Sequence, residues 1–290
     1  MSKMSKLIRP KEKESFFQPI KNIFSIINKK LSFLSFLDPF TYVDLLVMPL
    51  VKKLTNNSSA AEFLVNIFFA FLFAFIAYSV LGFIFGSSSP LVIVYSASME
   101  PTFFRGDIMA LGKVNPNDYL GPEIILPSSI DVKNTPTINY VTPIYSDPLT
   151  LKLEKIIFSC DNNCIKEIVP NKDGEVIVYS AVNPNSSVNG IPIIHRSIAK
   201  LVSKDGNFIL TKGDNSLTNP TFDQDCGTIK PEFNIPQKPC ISFYAIPVEE
   251  LQGKAFFKIP FVGCFKLWLV DDLSSLIFNK KLPSDFKGLC

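Results

Sequence analysis

"FLVNIFFAFLFAFIAYSVLGFIF", residues Phe63 to Phe85, runs for 23 positions without a charged side chain, and only Asn66, Tyr78 and Ser79 interrupt its apolar character. At about 1.5 Å per helical residue it reaches roughly 35 Å, enough to cross a hydrocarbon core of about 30 Å with some tilt. A surface helix of a globular domain keeps a polar face, which this run lacks. A cleavable export signal has a shorter apolar core nearer the start of the chain. The stretch is therefore expected to be a retained membrane anchor. It separates an N-terminal extension, residues 1–62, from a larger segment, residues 86–290.

The flanking charges orient that anchor. Lys3, Lys6, Arg9, Lys11, Lys13, Lys21, Lys29, Lys30, Lys52 and Lys53 precede it, whereas Gly86 to Glu100 carry no basic group. The positive-inside rule then puts the N-terminus in the cytoplasm and the chain after residue 86 outside. Within the extension, "FFQPIKNIFSIINKK" (16–30) reads as a short amphipathic helix lying on the anionic inner leaflet. "LSFLSFLDPFTYVDLLVMPLV" (31–51) is broken by Asp38-Pro39, Asp44 and Pro49. Burying two carboxylates costs a few kcal/mol each, so an interfacial or re-entrant segment is expected there rather than a second span. "TNNSSAAE" (55–62) reads as a linker.

Beyond the anchor the pattern changes to short β-rich runs: "PLVIVYS", "DIMALGKV", "EIILP", "LKLEKIIFS", "EVIVYSAV", "IPIIHRSIAKLV", "NFILTKG" and "GKAFFKIP". Gly, Pro, Asn and Asp clusters separate them, which predicts an antiparallel all-β domain. Helices do not alternate with strands, so a doubly wound parallel sheet is not expected. The Pro- and Asn-rich interval 115–172 reads as an inserted β lobe. "FKLWLVDDLSSLIF" (265–278) is too short and too charged to cross a membrane and reads as a docking helix, or a strand followed by an amphipathic helix.

Six cysteines suit an oxidising exterior. Cys160 and Cys164 bracket "DNN", Cys226 and Cys240 bracket a proline-rich loop, and both pairs are expected disulfides. Cys264, in an apolar stretch, is expected to act as a small buried hydrophobe. No metal site is expected, because the cysteine spacing is not that of paired Cys-x-x-Cys knuckles and the one histidine lies elsewhere. "NSS" at 185–187 reads as an external glycosylation acceptor. A net charge of +3 without a long basic run argues against a nucleic-acid partner.

The residues able to do chemistry are few. A serine hydroxyl becomes a nucleophile only when a base takes its proton, and the single histidine, His195, is the natural candidate. "TKGDNSLTNPTFDQ" (211–224) follows it and brings Asp214 and Asp223, either of which can hold an imidazole by its second nitrogen. By itself the Gly-Asp-Asn is an ordinary β-turn.

"SASMEPT" followed by Arg-Gly-Asp resembles the serine box of type I signal peptidases, matching it at Ser96, Ser98, Met99, Pro101, Thr102, Arg105, Gly106 and Asp107. "GEVIVY" (174–179), "IIHRSI" (193–198), "TKGDN" (211–215) and "GKAFFKIPFVGCFKLWL" (253–269) follow in the family's order, so the resemblance covers roughly residues 63 to 270. Histidine where the bacterial type has lysine points to the archaeal and endoplasmic-reticulum branch. The resemblance implies an antiparallel, signal-peptidase-like catalytic domain at 86–290, with its inserted lobe at 115–172, behind one transmembrane helix at 63–85. It further implies a membrane-bound serine endopeptidase that removes signal peptides from exported preproteins and needs no cofactor. Ser98 is then the nucleophile, His195 the general base, and Asp214 and Asp223 the supporting carboxylates. "SLT" lengthens the link between the two aspartates, which leaves Asp225 as a rival to Asp223. Ser96 or the amide of Ser98 is expected to serve the oxyanion, and Met99 and Pro101 to shape the wall beside the substrate. The implied partners are signal peptides, the lipid bilayer and the protein-export channel. The competing class is a membrane-anchored β-domain that binds or scaffolds without catalysis; retention of the serine, the only histidine and both aspartates favours the enzyme.

Overall fold

Ser59–Phe85 forms one continuous helix with no buried residue. It begins four positions before the apolar run, so the end of the expected linker is its first turn. Glu62 lies in that turn, where the helix dipole favours an acid, and sits 3.6 Å from Lys52. At the other end Gly86 adopts a left-handed φ of 64°. The amides of Ser87 and Gly86 turn back to the carbonyls of Gly82 and Phe83, at 3.1 and 3.4 Å, a closure that favours glycine at this position.

The computed structural model describes residues 38–115, 117–147, 149–159, 165–183, 189–226, 240–282 and 290. The expected amphipathic helix at 16–30, the Cys160–Cys164 pair and the triplet at 185–187 lie outside the described residues. Two units meet at the Ser79–Val80 bond. In the first, Pro39–Tyr42 and Met48–Leu54 are α-helical and Val43–Val47 between them is a π-helical stretch. The Asp38-Pro39 pair is the start of this helical run: the Asp38 carboxylate accepts from the Phe40 amide at 3.0 Å, and Pro39 stands at a first-turn position that needs no N–H. Pro49 follows the π-helical stretch, whose altered hydrogen-bond spacing suits its missing amide.

The second unit contains the strands β1 (Leu91–Ile93), β2 (Ile108–Gly112), β3 (Glu123–Ile125), β4 (Val141–Asp147), β5 (Lys152–Ser159), β6 (Ile165–Ile168), β7 (Val176–Ser180), β8 (Pro192–Ser203), β9 (Gly206–Lys212), β10 (Ile246–Pro247) and β11 (Gly253–Ile259). Among the described residues eight of them build one sheet, in the order β1-β2-β11-β7-β8-β9-β10 with β3 against β8, and β4-β5-β6 build a second. The pairing is antiparallel except that β3 runs parallel to β8, with Glu123 opposite Lys200 and Ile125 opposite Val202. The interval 115–172 is thus shared: β3 joins the larger sheet and only β4–β6 stand apart. Their inward side chains Val141, Ile156, Phe158 and Ile168 pack with Ile198, Leu201, Phe208 and Leu210 of β8 and β9 in one core.

The C-terminal segment is helical, as Cys264–Lys266, the π-helical Leu267–Asp272 and Leu273–Asn279. Asp272 does not break it because its carboxylate is buried against Arg105, 2.7 Å away. Cys264 is not a lone hydrophobe. It is bonded to Cys290 with the Cα atoms 5.3 Å apart, a partner 26 residues downstream that a reading of its apolar neighbours could not supply.

Candidate active site

Register sets out the site. Ile177 pairs with His195, Tyr179 with Ile193, and Ser197 with Thr211. Side chains alternate along a strand, so Tyr179 of β7, His195 of β8 and Thr211 of β9 project from the same face as diagonal neighbours. All three are buried, His195 to 2% exposure and the others completely.

The chain after β9 folds back over this face and brings one carboxylate to it. The Asp223 amide donates to the Thr211 carbonyl at 2.8 Å, and the Asp223 carbonyl accepts from the amides of Ile241 and Ser242 at 2.9 and 3.1 Å. The expected Cys226–Cys240 disulfide closes the loop beside it, with a Cα separation of 5.0 Å. Asp223 Oδ2 then lies 2.7 Å from His195 Nδ1 and accepts from the Tyr179 hydroxyl at 2.8 Å. Burial pushes the Asp223 carboxyl up, but the facing imidazole and the hydrogen bonds from His195 and Tyr179 outweigh it and leave the group below the usual aspartate range. A carboxylate on Nδ1 fixes the neutral ring with its proton there, so the Nε2 lone pair can take a proton from a neighbour.

The other two aspartates are engaged elsewhere. Asp214, expected beside the imidazole, instead receives both arms of Arg196 at 2.8 Å and the Thr102 hydroxyl at 2.5 Å. The cause is alternation: Arg196 follows His195 on β8 and so leaves the opposite face, and Asp214 pairs with it there. Burial again pushes the Asp214 carboxyl up, and Arg196 and Thr102 more than offset it, holding the group below its usual value. Asp225 accepts from Tyr145 and from the Thr221 hydroxyl and does not face the ring. "SLT" is absorbed in one turn, closed by the Asn219 amide on the Asn215 carbonyl at 2.8 Å, with Leu217 fully outward.

Ser98 sits half-buried in the 3-10 turn Ala97–Met99, which lies against β8. Asn215 clamps that turn: its amide donates to the Ser98 carbonyl and its side chain to the Ala97 carbonyl, both at 2.9 Å. Gly213 follows Lys212, the partner of Arg196, so the antiparallel register carries it toward His195. The Ser98 carbonyl approaches it so closely that a Cβ on Gly213 would stand 2.7 Å from the oxygen. Gly213, the first residue past β9, thus packs directly against the serine turn. Ser96 Oγ donates to Ser98 Oγ at 3.1 Å.

Met99 is not part of a wall open to a substrate. It is fully buried in a core with Val94, Phe103, Met109, Leu111, Val176 and Val178, anchoring the turn from below. Pro101 is exposed, after a cis peptide bond from Glu100. The Arg-Gly-Asp stretch is structural. Arg105 donates to the Tyr95 carbonyl at 2.7 Å, to the Cys290 carbonyl at 2.9 Å and to Asp272. The Asp107 carboxylate takes the amides of Phe104 and Phe261 at 2.9 and 3.2 Å. Gly106, at φ 84°, lies under the Cys264–Cys290 bond, where a Cβ would meet both sulfurs within 2.4 Å.

No family model matches the chain. The signal peptidase complex catalytic subunit sec11 of Schizosaccharomyces pombe is 26% identical over 221 residues, covering 76% of this chain and 88% of that protein. The corresponding SEC11 subunit of Plasmodium falciparum is 25% identical over 227 residues, 77% of this chain and 82% of its own length. That of Fusarium vanettenii is 27% identical over 172 residues, 59% and 67% of the two chains. This chain is a distant homologue of signal peptidase complex catalytic subunits. With histidine at 195 it falls in their serine–histidine branch. Tyr179 and Thr211, which meet beside Asp223, went unnoticed in the sequence, although both lie inside the family's boxes. Their spacing becomes informative only when the registers of three strands are known.

Proposed function

We propose that this signal peptidase homologue is a membrane-bound serine endopeptidase that cleaves signal peptides from exported preproteins. Residues 63–85 anchor it with the N-terminus in the cytoplasm, and residues 86–290 form the extracytoplasmic catalytic domain, elaborated at 115–172. Its partners are the signal peptides, the bilayer that holds both enzyme and substrate, and the export channel that delivers them. The observation that carries the reading is the buried 2.7 Å contact between Asp223 and the chain's only histidine, beside the clamped Ser98 turn.

In this mechanism His195 Nε2 takes the Ser98 hydroxyl proton as Oγ bonds to the scissile carbonyl carbon. Asp223 stabilises the imidazolium that results. The negative oxygen of the tetrahedral intermediate is met by the Ser98 amide and the Ser96 hydroxyl; one such donor is worth about 3 kcal/mol in other hydrolases. The carbon–nitrogen bond then breaks, and the imidazolium returns its proton to the leaving amine, the new N-terminus of the mature protein. A water deprotonated by His195 attacks the acyl-Ser98 ester, the carbon–Oγ bond breaks to release the signal peptide, and the imidazolium returns its proton to Ser98 Oγ. The test is cleavage of a preprotein by detergent-solubilised protein beside Ser98→Ala and His195→Ala. The parent alone is expected to cut. Parent-like processing by either variant removes that residue from its role, and an inert parent overturns the reading.

A further inference from the structure

Asp223 Oδ2 receives two donors while its other oxygen, Oδ1, is buried and meets no donor among the described residues. The carboxylate's orientation therefore depends on what holds Oδ2. The second donor, the Tyr179 hydroxyl, belongs to a line of hydrogen bonds whose direction is fixed from its far end. The Thr211 amide, which can only donate, gives its proton to Gln224 Oε1 at 3.0 Å. That assigns the side-chain oxygen and leaves Gln224 Nε2 as a donor to Thr211 Oγ1 at 3.1 Å. Thr211 passes its own proton to the Tyr179 oxygen at 3.2 Å, and Tyr179 passes its proton to Asp223 Oδ2 at 2.8 Å. Gln224, Thr211 and Tyr179 are completely buried, so water does not compete along the line.

We propose that Tyr179, oriented by Thr211 and Gln224, is a positioning residue for the histidine: it pins Asp223 Oδ2 as an acceptor facing Nδ1 and so keeps the Nε2 lone pair of His195 bare. The proposal rests on the function assigned above for what the bare nitrogen does, but its physical content is the proton's place on the ring. Burial first, then the adjoining Asp223 carboxylate, pushes the Tyr179 phenol well above its usual range, so it stays a donor wherever the protein is folded. Without that donor Asp223 keeps a single hydrogen bond and can turn Oδ1 toward the ring or away from it.

The chain has one histidine, so histidine-specific 15N labelling of the full-length protein in detergent reports on this ring alone. The parent is expected to show one neutral form, protonated at Nδ1 and bare at Nε2. Tyr179→Phe removes one oxygen and keeps the ring's shape. It is expected to add a second form protonated at Nε2 and to lower kcat roughly tenfold with KM unchanged, about the effect of one hydrogen bond to a charged group. Thr211→Val is expected to cause a smaller kcat loss alone and none on top of Tyr179→Phe, because both act through the same link. A Tyr179→Phe protein with parent-like kcat and a single Nδ1-protonated form overturns the proposal, as does a Thr211→Val loss that is equal in both backgrounds. If Tyr179→Phe lacks a cooperative thermal transition, Thr211→Val carries the same two readouts, and no change in either overturns the proposal. An inert parent refutes the peptidase reading, while the 15N spectra still decide where the proton sits.

Discussion

Replacing Gly213 by alanine places a methyl carbon 2.7 Å from the Ser98 carbonyl oxygen and 2.9 Å from Asn219 Cγ, where ordinary contact begins near 3.4 Å. Asn219 also meets it with Cβ at 3.0 Å, an atom that moves only with a backbone whose amide is held on the Asn215 carbonyl at 2.8 Å. The Ser98 carbonyl cannot move freely either, because the Asn215 amide holds it at 2.9 Å and Met99, the next residue, is locked in the core. Relief requires the serine turn and the end of β9, which pairs with the histidine strand, to separate by about 0.7 Å. A misplacement of about 1 Å costs on the order of 100-fold in rate, so the smaller shift is expected to lower kcat by roughly 10- to 50-fold. Overpacking also costs about 1–3 kcal/mol of stability. The assay is preprotein cleavage by parent and Gly213→Ala under saturating substrate, with thermal unfolding in parallel. A Gly213→Ala protein with parent kcat and parent Tm refutes the argument that this glycine sets the approach of Ser98 to His195.

Asp214→Asn tests the clamp on the opposite face. Arg196 keeps its bonds to the carbonyls of Lys172 and Gly174 but loses the charge that balances it, which is expected to cost about 3–5 kcal/mol in urea unfolding; stability equal to the parent's contradicts the assignment. The pH dependence of stability follows from Asp223 and Asp214. Both are held below their usual value of 3.8 when folded, so the stability they contribute is fully present above about pH 5 and is lost as pH falls through the folded values. Urea midpoints measured from pH 2 to 7 are expected to be level down to about pH 5 and to drop below pH 4, with a shallower drop in Asp223→Asn. A level acid limb refutes this.

Several features were legible because one local property decides them. The long apolar helix is one, since an uncharged run of 23 residues is decided by composition alone, and the antiparallel hairpins are another. The site was legible as residue types but not as partners. Asp214 and Asp223 are equivalent in sequence; what separates them is that Asp214 stays on the Arg196 face of β8 while the chain crosses over before Asp223. Met99 reads as a wall residue beside a serine, yet its fate was set by Met109, Leu111 and Val176 on distant strands. "EIILP" announces a strand without saying that its neighbour is parallel, and Cys264 gives no hint of Cys290. The Arg-Gly-Asp triplet matched a motif before its cause was visible: Arg105 and Asp107 tie the serine loop to the C-terminal segment, and Gly106 makes room for a disulfide.

The central claim is a transient ester on one hydroxyl, so the most direct measurement is its capture. Full-length protein is mixed with a signal-peptide substrate, quenched in acid within a turnover, digested and mapped by mass spectrometry. The mechanism predicts an acyl adduct on Ser98 in the parent and none in His195→Ala. Cleavage of the substrate with the adduct on any other residue, or an undiminished Ser98 adduct without His195, contradicts it.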